Sequence, residues 1–314
     1  RRIVFLDSDD WLDPSFLERL HDALDAAPGA AAAYCDYRRV MPDGEMAPPC
    51  SEPELARTPF DTFARTCAVA IHAVLIDRDW VLRAGGFDTA LATCEDWDLW
   101  QRVARLGSRW VHVAEPLALY RTAEHSLSRD VDRVLADAAV VVGRGFGPDP
   151  RLPECASEHA SGATPAPGFS AGIALAYCTL WCLALDAARG RDRPLQHEAL
   201  AALPRGSEDA TDIAATLLDG VCLGLCAVPA QLAARRADHG QRIGALIHAL
   251  GAQWADEGAA QRVHHSFERL VSMSSQTLVS VVIPAYNAAA TLDATLHSAR
   301  AQSHCDLEII VVDD

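Results

Sequence analysis

Strand-forming runs are confined to the two ends of this sequence. Between them lies a long stretch, residues 130–275, rich in Ala and Leu and almost without strand pattern. Runs such as IVFL, at residues 3–6, and VSVVI, at residues 279–283, are short and wholly apolar, the signature of strands buried on both faces. The middle carries apolar residues at helical spacing instead. This layout predicts α/β units at both ends joined by an all-α connector, divided at residues 1–129, 130–275 and 276–314.

Each end unit can be read locally. Residues 3–6 predict a buried strand, and Asp13-Pro14 predicts a helix start, with Asp as cap and Pro at the first helical position. Phe16, Leu17, Leu20 and Leu24 supply that helix with an apolar face. Further strands are predicted over residues 31–40, 69–76, 110–113 and 117–120, with a turn at Pro42-Asp43-Gly44. A helix over residues 95–106 stops at Gly107. In the connector, helices are predicted over residues 169–189, 209–227, 229–253 (with a break at Gly240) and 259–272. The final unit reads strand, helix, strand over residues 279–283, 289–302 and 307–312, half of a doubly wound fold.

Composition excludes some functions. The chain has 314 residues, half of them hydrophobic, and a formal net charge of −16 from 43 acidic and 27 basic residues. Nucleic-acid binding needs a basic footprint, so a nucleic-acid partner is not expected. The ten cysteines show no disulfide-scaffold spacing and point to a reduced, cytoplasmic setting. Residues 168–185 carry no charge and just reach membrane-spanning length. Their Gly, Ser, Thr, Tyr and Cys content, with no flanking basic cluster, favours a buried bundle helix. Cys178, Cys182, Cys222 and Cys226 pair on helical faces. A zinc site is the alternative to a core role for them.

The chemistry concentrates where strands end. In FLDSDDWL, Asp7, Asp9 and Asp10 emerge at a strand's carboxyl edge, where open α/β sheets bind ligands. Clustered carboxylates repel one another unless a cation joins them. Hard oxygen ligands suit Mg²⁺ or Mn²⁺, held by one or two carboxylates together with substrate phosphates. In CEDWDLWQRVARLG, Glu95 and Asp96 open a helix, where the dipole favours carboxylates, and a carboxylate fixed beside an apolar wall can act as a general base.

FLDSDDWL, GGFD at residues 85–88, EDWDLWQRVARLG, and YR followed by SLS at residues 126–128 occur in the order seen in family 2 glycosyltransferases of the GT-A fold, which this sequence resembles. The closing VSVVIPAYNAAATLDATLHSARAQSHCDLEIIVVDD is similar to the amino-terminal nucleotide-binding unit of the same family. The resemblance implies an inverting, metal-dependent transfer of a sugar from a nucleotide-sugar donor, a UDP-sugar above all, to a hydroxyl on a glycan or lipid-linked acceptor. It implies that Asp9 binds the metal on the diphosphate, with Asp7 near the ribose and the metal. It makes Asp96 the base, with Glu95 beside it. Pro284, Tyr286 and Asn287 match the loop that packs on base and ribose, and Asp314 an acidic residue that contacts the base. Many relatives carry a His two residues after YR. Here that place is Ala123, and His125 is the nearby candidate for donor binding.

The family's order is nucleotide unit first and metal strand second, the reverse of the order here. The expectation is a piece of a tandem protein, holding the second half of one domain and the first part of the next, with little activity alone. Such an enzyme would work in the cytoplasm or at the inner face of the membrane. The alternative is a non-catalytic helical scaffold or partner-binding module flanked by degenerate transferase halves.

Overall fold

The computed structural model describes residues 1–124, 126–164, 169–191, 193, 197–206, 209–274, 279–285, 291–300 and 307–313. The amino-terminal region is a curled five-stranded mixed sheet with helices. In chain order it contains β1 (Arg2–Ile3), β2 (Trp11–Leu12), α1 (Phe16–Asp25), β3 (Ala32–Val40), α2 (Pro59–Arg65), β4 (Val74–Asp77), α3 (Arg78–Arg83), α4 (Glu95–Arg105) and β5 (Trp110–Arg121). The strand order is β1-β4-β3-β5-β2, with β3 and β5 parallel and the other pairs antiparallel. β1 and β2 therefore lie at opposite edges. Residues 4–10 carry the chain from one edge to the other, and the acidic turn lies on that crossing.

Several local expectations are corrected. The strand over residues 3–6 shrinks to Arg2–Ile3, half-buried at a sheet edge, and Leu6 is 51% exposed. Its apolar run reflects ring and side-chain packing rather than a central strand. Helix α1 begins at Phe16, because Asp13 accepts hydrogen bonds from the backbone N–H and hydroxyl of Ser15 at 2.9 and 2.6 Å and spends its cap on that turn. Phe16, Leu20 and Leu24 are buried as expected, while Leu17 points outward. The two strands read over residues 110–120 are one strand, with a register shift opposite Cys35–Tyr37 where Pro116 cannot donate to the ladder. A 3-10 turn (Ile71–Ala73) replaces the first part of the strand read over residues 69–76.

Helix α5 (Val131–Gly145) follows. Its Ala138, Val141 and Val142 join the core built on Trp97, Leu99, Trp100, Val103 and Trp110, as does Ala174 of α6 (Ala171–Ala188). Packing thus continues across residue 129. Beyond it come α7 (His197–Leu200), α8 (Asp209–Leu225), α9 (Pro229–Leu232), α10 (Arg236–Trp254) and α11 (Glu257–Ser274), which enclose a second core around Leu180, Leu217, Ile243 and Phe267. The break expected at Gly240 falls instead at residues 233–235, and Gly240 continues α10. Helix α6 is long and apolar enough to cross a membrane by length and composition, and it packs between α5 and α8. The carboxyl end holds β6 (Val279–Ala285), α12 (Leu292–Arg300) and β7 (Leu307–Asp313). The two strands pair in parallel from Val279↔Leu307 to Ala285↔Asp313.

Candidate active site

The acidic turn is built at residues 7–10. The Asp10 N–H donates to the Asp7 carbonyl at 3.2 Å, closing it. Asp7 and Asp9 are exposed, while the Asp10 side chain turns inward, 2% exposed. One Asp10 oxygen accepts from the Arg121 backbone N–H at 2.7 Å, and Arg121 Nε donates to the Asp9 carbonyl at 2.7 Å. The Arg121 guanidinium lies 4.9 Å from the centre of the Trp11 ring. Arg121, at the end of β5, thus grips the turn where it leads into the edge strand β2. Burial raises the Asp7 carboxyl above the usual carboxylate range, and Asp10 and Asp9 push it further.

The second carboxylate pair opens α4. Its N-cap is Cys94, in the left-handed region at φ 58°, a conformation that strains a residue with a Cβ. Asp137 of α5 holds the approach: one carboxylate oxygen accepts from the N–H groups of Ala92 and Thr93 and from the Thr93 hydroxyl at 2.8–3.0 Å. Asp96 accepts from the Trp97 N–H at 2.7 Å. Burial pushes the Asp96 carboxyl up to about 7, and Glu95 and Asp7 add to the effect. The smallest of these contributions, that of Asp7, comes from a separate motif. Cys67 lies within the same electrostatic neighbourhood. Its side chain has solvent contact, yet the protein around it, with Asp96, Cys94 and Glu95 near, holds its thiol well above the ordinary value.

GGFD joins these two pieces. Gly85 and Gly86, both at positive φ, return the chain at the end of α3. Phe87 then meets the ring of Phe5 edge-on at 4.9 Å, and Phe5 is 6.1 Å from Trp100 of α4. The aromatic file Phe87–Phe5–Trp100 therefore connects the three motifs. Below it, buried Asp98 accepts from Arg102 at 2.8 Å and from Arg144 and Arg151 at 2.9 Å. Arg144 and Arg151 also bind Asp88 at 3.0 Å. The GGFD turn and α4 are clamped to one pair of arginines.

The remaining predicted residues distribute differently. Pro284 lies in β6. Tyr286, Asn287, Asp314 and His125 lie outside the described residues. Sequence reasoning missed Arg121, Asp137, Asp98 with its arginines, and His72, whose Nδ1 is 3.0 Å from Asp10. Only the YR pairing signalled any of them. Among the described residues no three His, Cys, Asp or Glu side chains converge as metal ligands, so neither the connector thiols nor the acidic turn forms a closed cage. Cys222 lies in the bundle core and Cys182 in a small cluster with Leu185 and Leu223, as small apolar residues do. Two exposed carboxylates on one turn still match the way Mg²⁺ is held, with few protein ligands beside phosphates and water.

No curated protein matches the chain. Residues 280–314, a short stretch at the carboxyl end, match the family model described as Glycosyl transferase family 2.

Proposed function

We propose that the Asp7–Asp10 turn and Asp96 form the cation-and-base half of an inverting glycosyl-transfer site, and that residues 276–314 belong to the nucleotide-binding part of a second such site. The family match at the carboxyl end supports glycosyltransferase character in general. The observation that carries the reading is the aromatic file Phe87–Phe5–Trp100, which joins the chain just before the acidic turn to the helix that Asp96 opens, two motifs far apart in sequence.

The chemistry follows from the carboxylates. Asp96, with its carboxyl near neutrality, takes the proton of an acceptor hydroxyl while the oxygen attacks the anomeric carbon of the donor. The bond to the nucleoside diphosphate breaks on the opposite face, and configuration inverts. Asp7 and Asp9 would hold a divalent cation, Mg²⁺ or Mn²⁺, whose Lewis acidity stabilises the departing diphosphate when bound. Asp98, Arg144 and Arg151 keep the base helix rigid, and Phe5, Phe87 and Trp100 form an apolar wall behind it. The donor class is a nucleotide-sugar, with UDP as the nucleotide, and the acceptor is a glycan or lipid-linked hydroxyl. The site faces the cytoplasm.

Titrating the full chain with UDP in the presence of Mn²⁺, by calorimetry, tests this. Saturable binding that weakens at least tenfold in Asp9→Asn supports the proposal. Absence of Mn²⁺-dependent binding, or Mn²⁺-dependent binding indifferent to Asp7→Asn and Asp9→Asn, sinks the cation half and favours a scaffold role.

A further inference from the structure

His72 has no part in the chemistry above, yet it lies directly behind the acidic turn. It is the middle residue of the 3-10 turn that leads into β4, and it is fully buried. Its Nδ1 approaches Asp10 Oδ2 at 3.0 Å, and its ring stacks in parallel with Tyr120 at 6.2 Å. The approach is not aligned as a hydrogen bond, and Asp10 Oδ2 and both ring nitrogens have no other partner among the described residues. The other Asp10 oxygen is taken by the Arg121 N–H.

A buried carboxylate stripped of its partner turns outward to water, because desolvation outweighs any packing it leaves behind. Asp10 is the inward member of a turn whose neighbours Asp7 and Asp9 both face solvent. Its backbone is joined to theirs by the 3.2 Å bond from its N–H to the Asp7 carbonyl, which closes the turn. We infer that His72 is a positioning residue: by holding Asp10 inward, it aims Asp7 and Asp9 outward together. The consequence for cation binding rests on the function proposed above, whereas the consequence for the turn does not.

Three variants of the full chain separate these. His72→Leu keeps the bulk and removes the ring nitrogen that faces Asp10. His72→Asn restores an N–H near the place of Nδ1, and His72→Gln puts one near the place of Nε2. Hydrogen–deuterium exchange of peptides covering residues 7–12 reads the turn. In His72→Leu and His72→Gln, exchange there should rise at least tenfold, with α4 and β3 unchanged. His72→Asn should stay within threefold of the parent. Equal protection in all four proteins, or a rise spread evenly over the sheet, overturns the inference; should His72→Leu not fold, the Asn and Gln pair decides. Mn²⁺ binding, followed by the electron paramagnetic resonance signal of the free ion, is measured on the same samples. A tenfold loss of affinity in the loosened variants supports both the inference and the site. A loosened turn in a chain that never binds Mn²⁺ upholds His72 and overturns the cation site.

Discussion

Asp96 couples acid–base chemistry to stability. Unfolded, an Asp titrates near 3.9; folded, this one titrates at about 7. Folding therefore favours its protonated form, and the associated stability is fully present below pH ~4 and lost as pH rises through about 7. The difference is at most about 4 kcal/mol. Asp96→Asn should match the parent near pH 4 and exceed it in urea unfolding at pH 8–9, while, on the function proposed above, transfer activity should rise with pH through neutrality and vanish in the variant. The sequence showed Asp96 as a helix-opening carboxylate and as part of a resemblance to a known family, because both are local facts. It could not show that Asp10 faces inward while its neighbours face out, since three aspartates in a row read alike until a long-range partner such as His72 or Arg121 tells them apart.

Elements with strong periodicity were legible. Helix α4 and strand β3 appear within a residue of expectation, since their apolar patterns and the Gly107 stop are local. The short helices α2 and α3 and the edge strands were not, because brief elements are fixed by what they pack against. The same logic gives two tests. Asp98 serves three arginines from inside the core, so Asp98→Ala leaves buried positive charge unpaired and should cost roughly 3–5 kcal/mol in denaturant unfolding. Where α6 crosses α8, a Cβ on Gly220 would lie 2.5 Å from the Trp181 carbonyl, and one on Gly224 would lie 2.6 Å from that of Leu185. Neither can be relieved by a flexible side chain. Gly220→Ala should therefore destabilise by about 1–3 kcal/mol despite its better helix propensity, and a melting curve reads it.

At the scale of the whole molecule, the sheet region and the helices behave as one packed body. The first core includes α5 and Ala174, and an Arg39–Asp219 ion pair, with Trp181 Nε1 donating to Asp219 at 2.7 Å, ties β3 to α8 and α6. The composition shift near residue 130 marks a change of secondary structure, and side chains from both sides of it share the first core. The carboxyl-terminal strands differ: among the described residues they pack chiefly on each other. A chain ending at Ser274 should therefore melt within about 2 °C of the full chain, a small shift on the usual scale relating free energy to Tm.

That last pair of strands also governs how the protein behaves in a test tube. Parallel strands are ordinarily covered on both faces, yet here Val282, Ile310, Val311 and Val312 are 40–57% exposed. Copies of the chain carry a net charge of −16 and repel one another at low ionic strength. Salt shortens the reach of that repulsion to about 3 Å at 1 M and leaves the apolar strand faces free to meet. Solubility then becomes a contest between charge and valine. Colloidal attraction measured by light scattering should grow with added NaCl, and shrink again when Val312 and Ile310 are replaced by Lys.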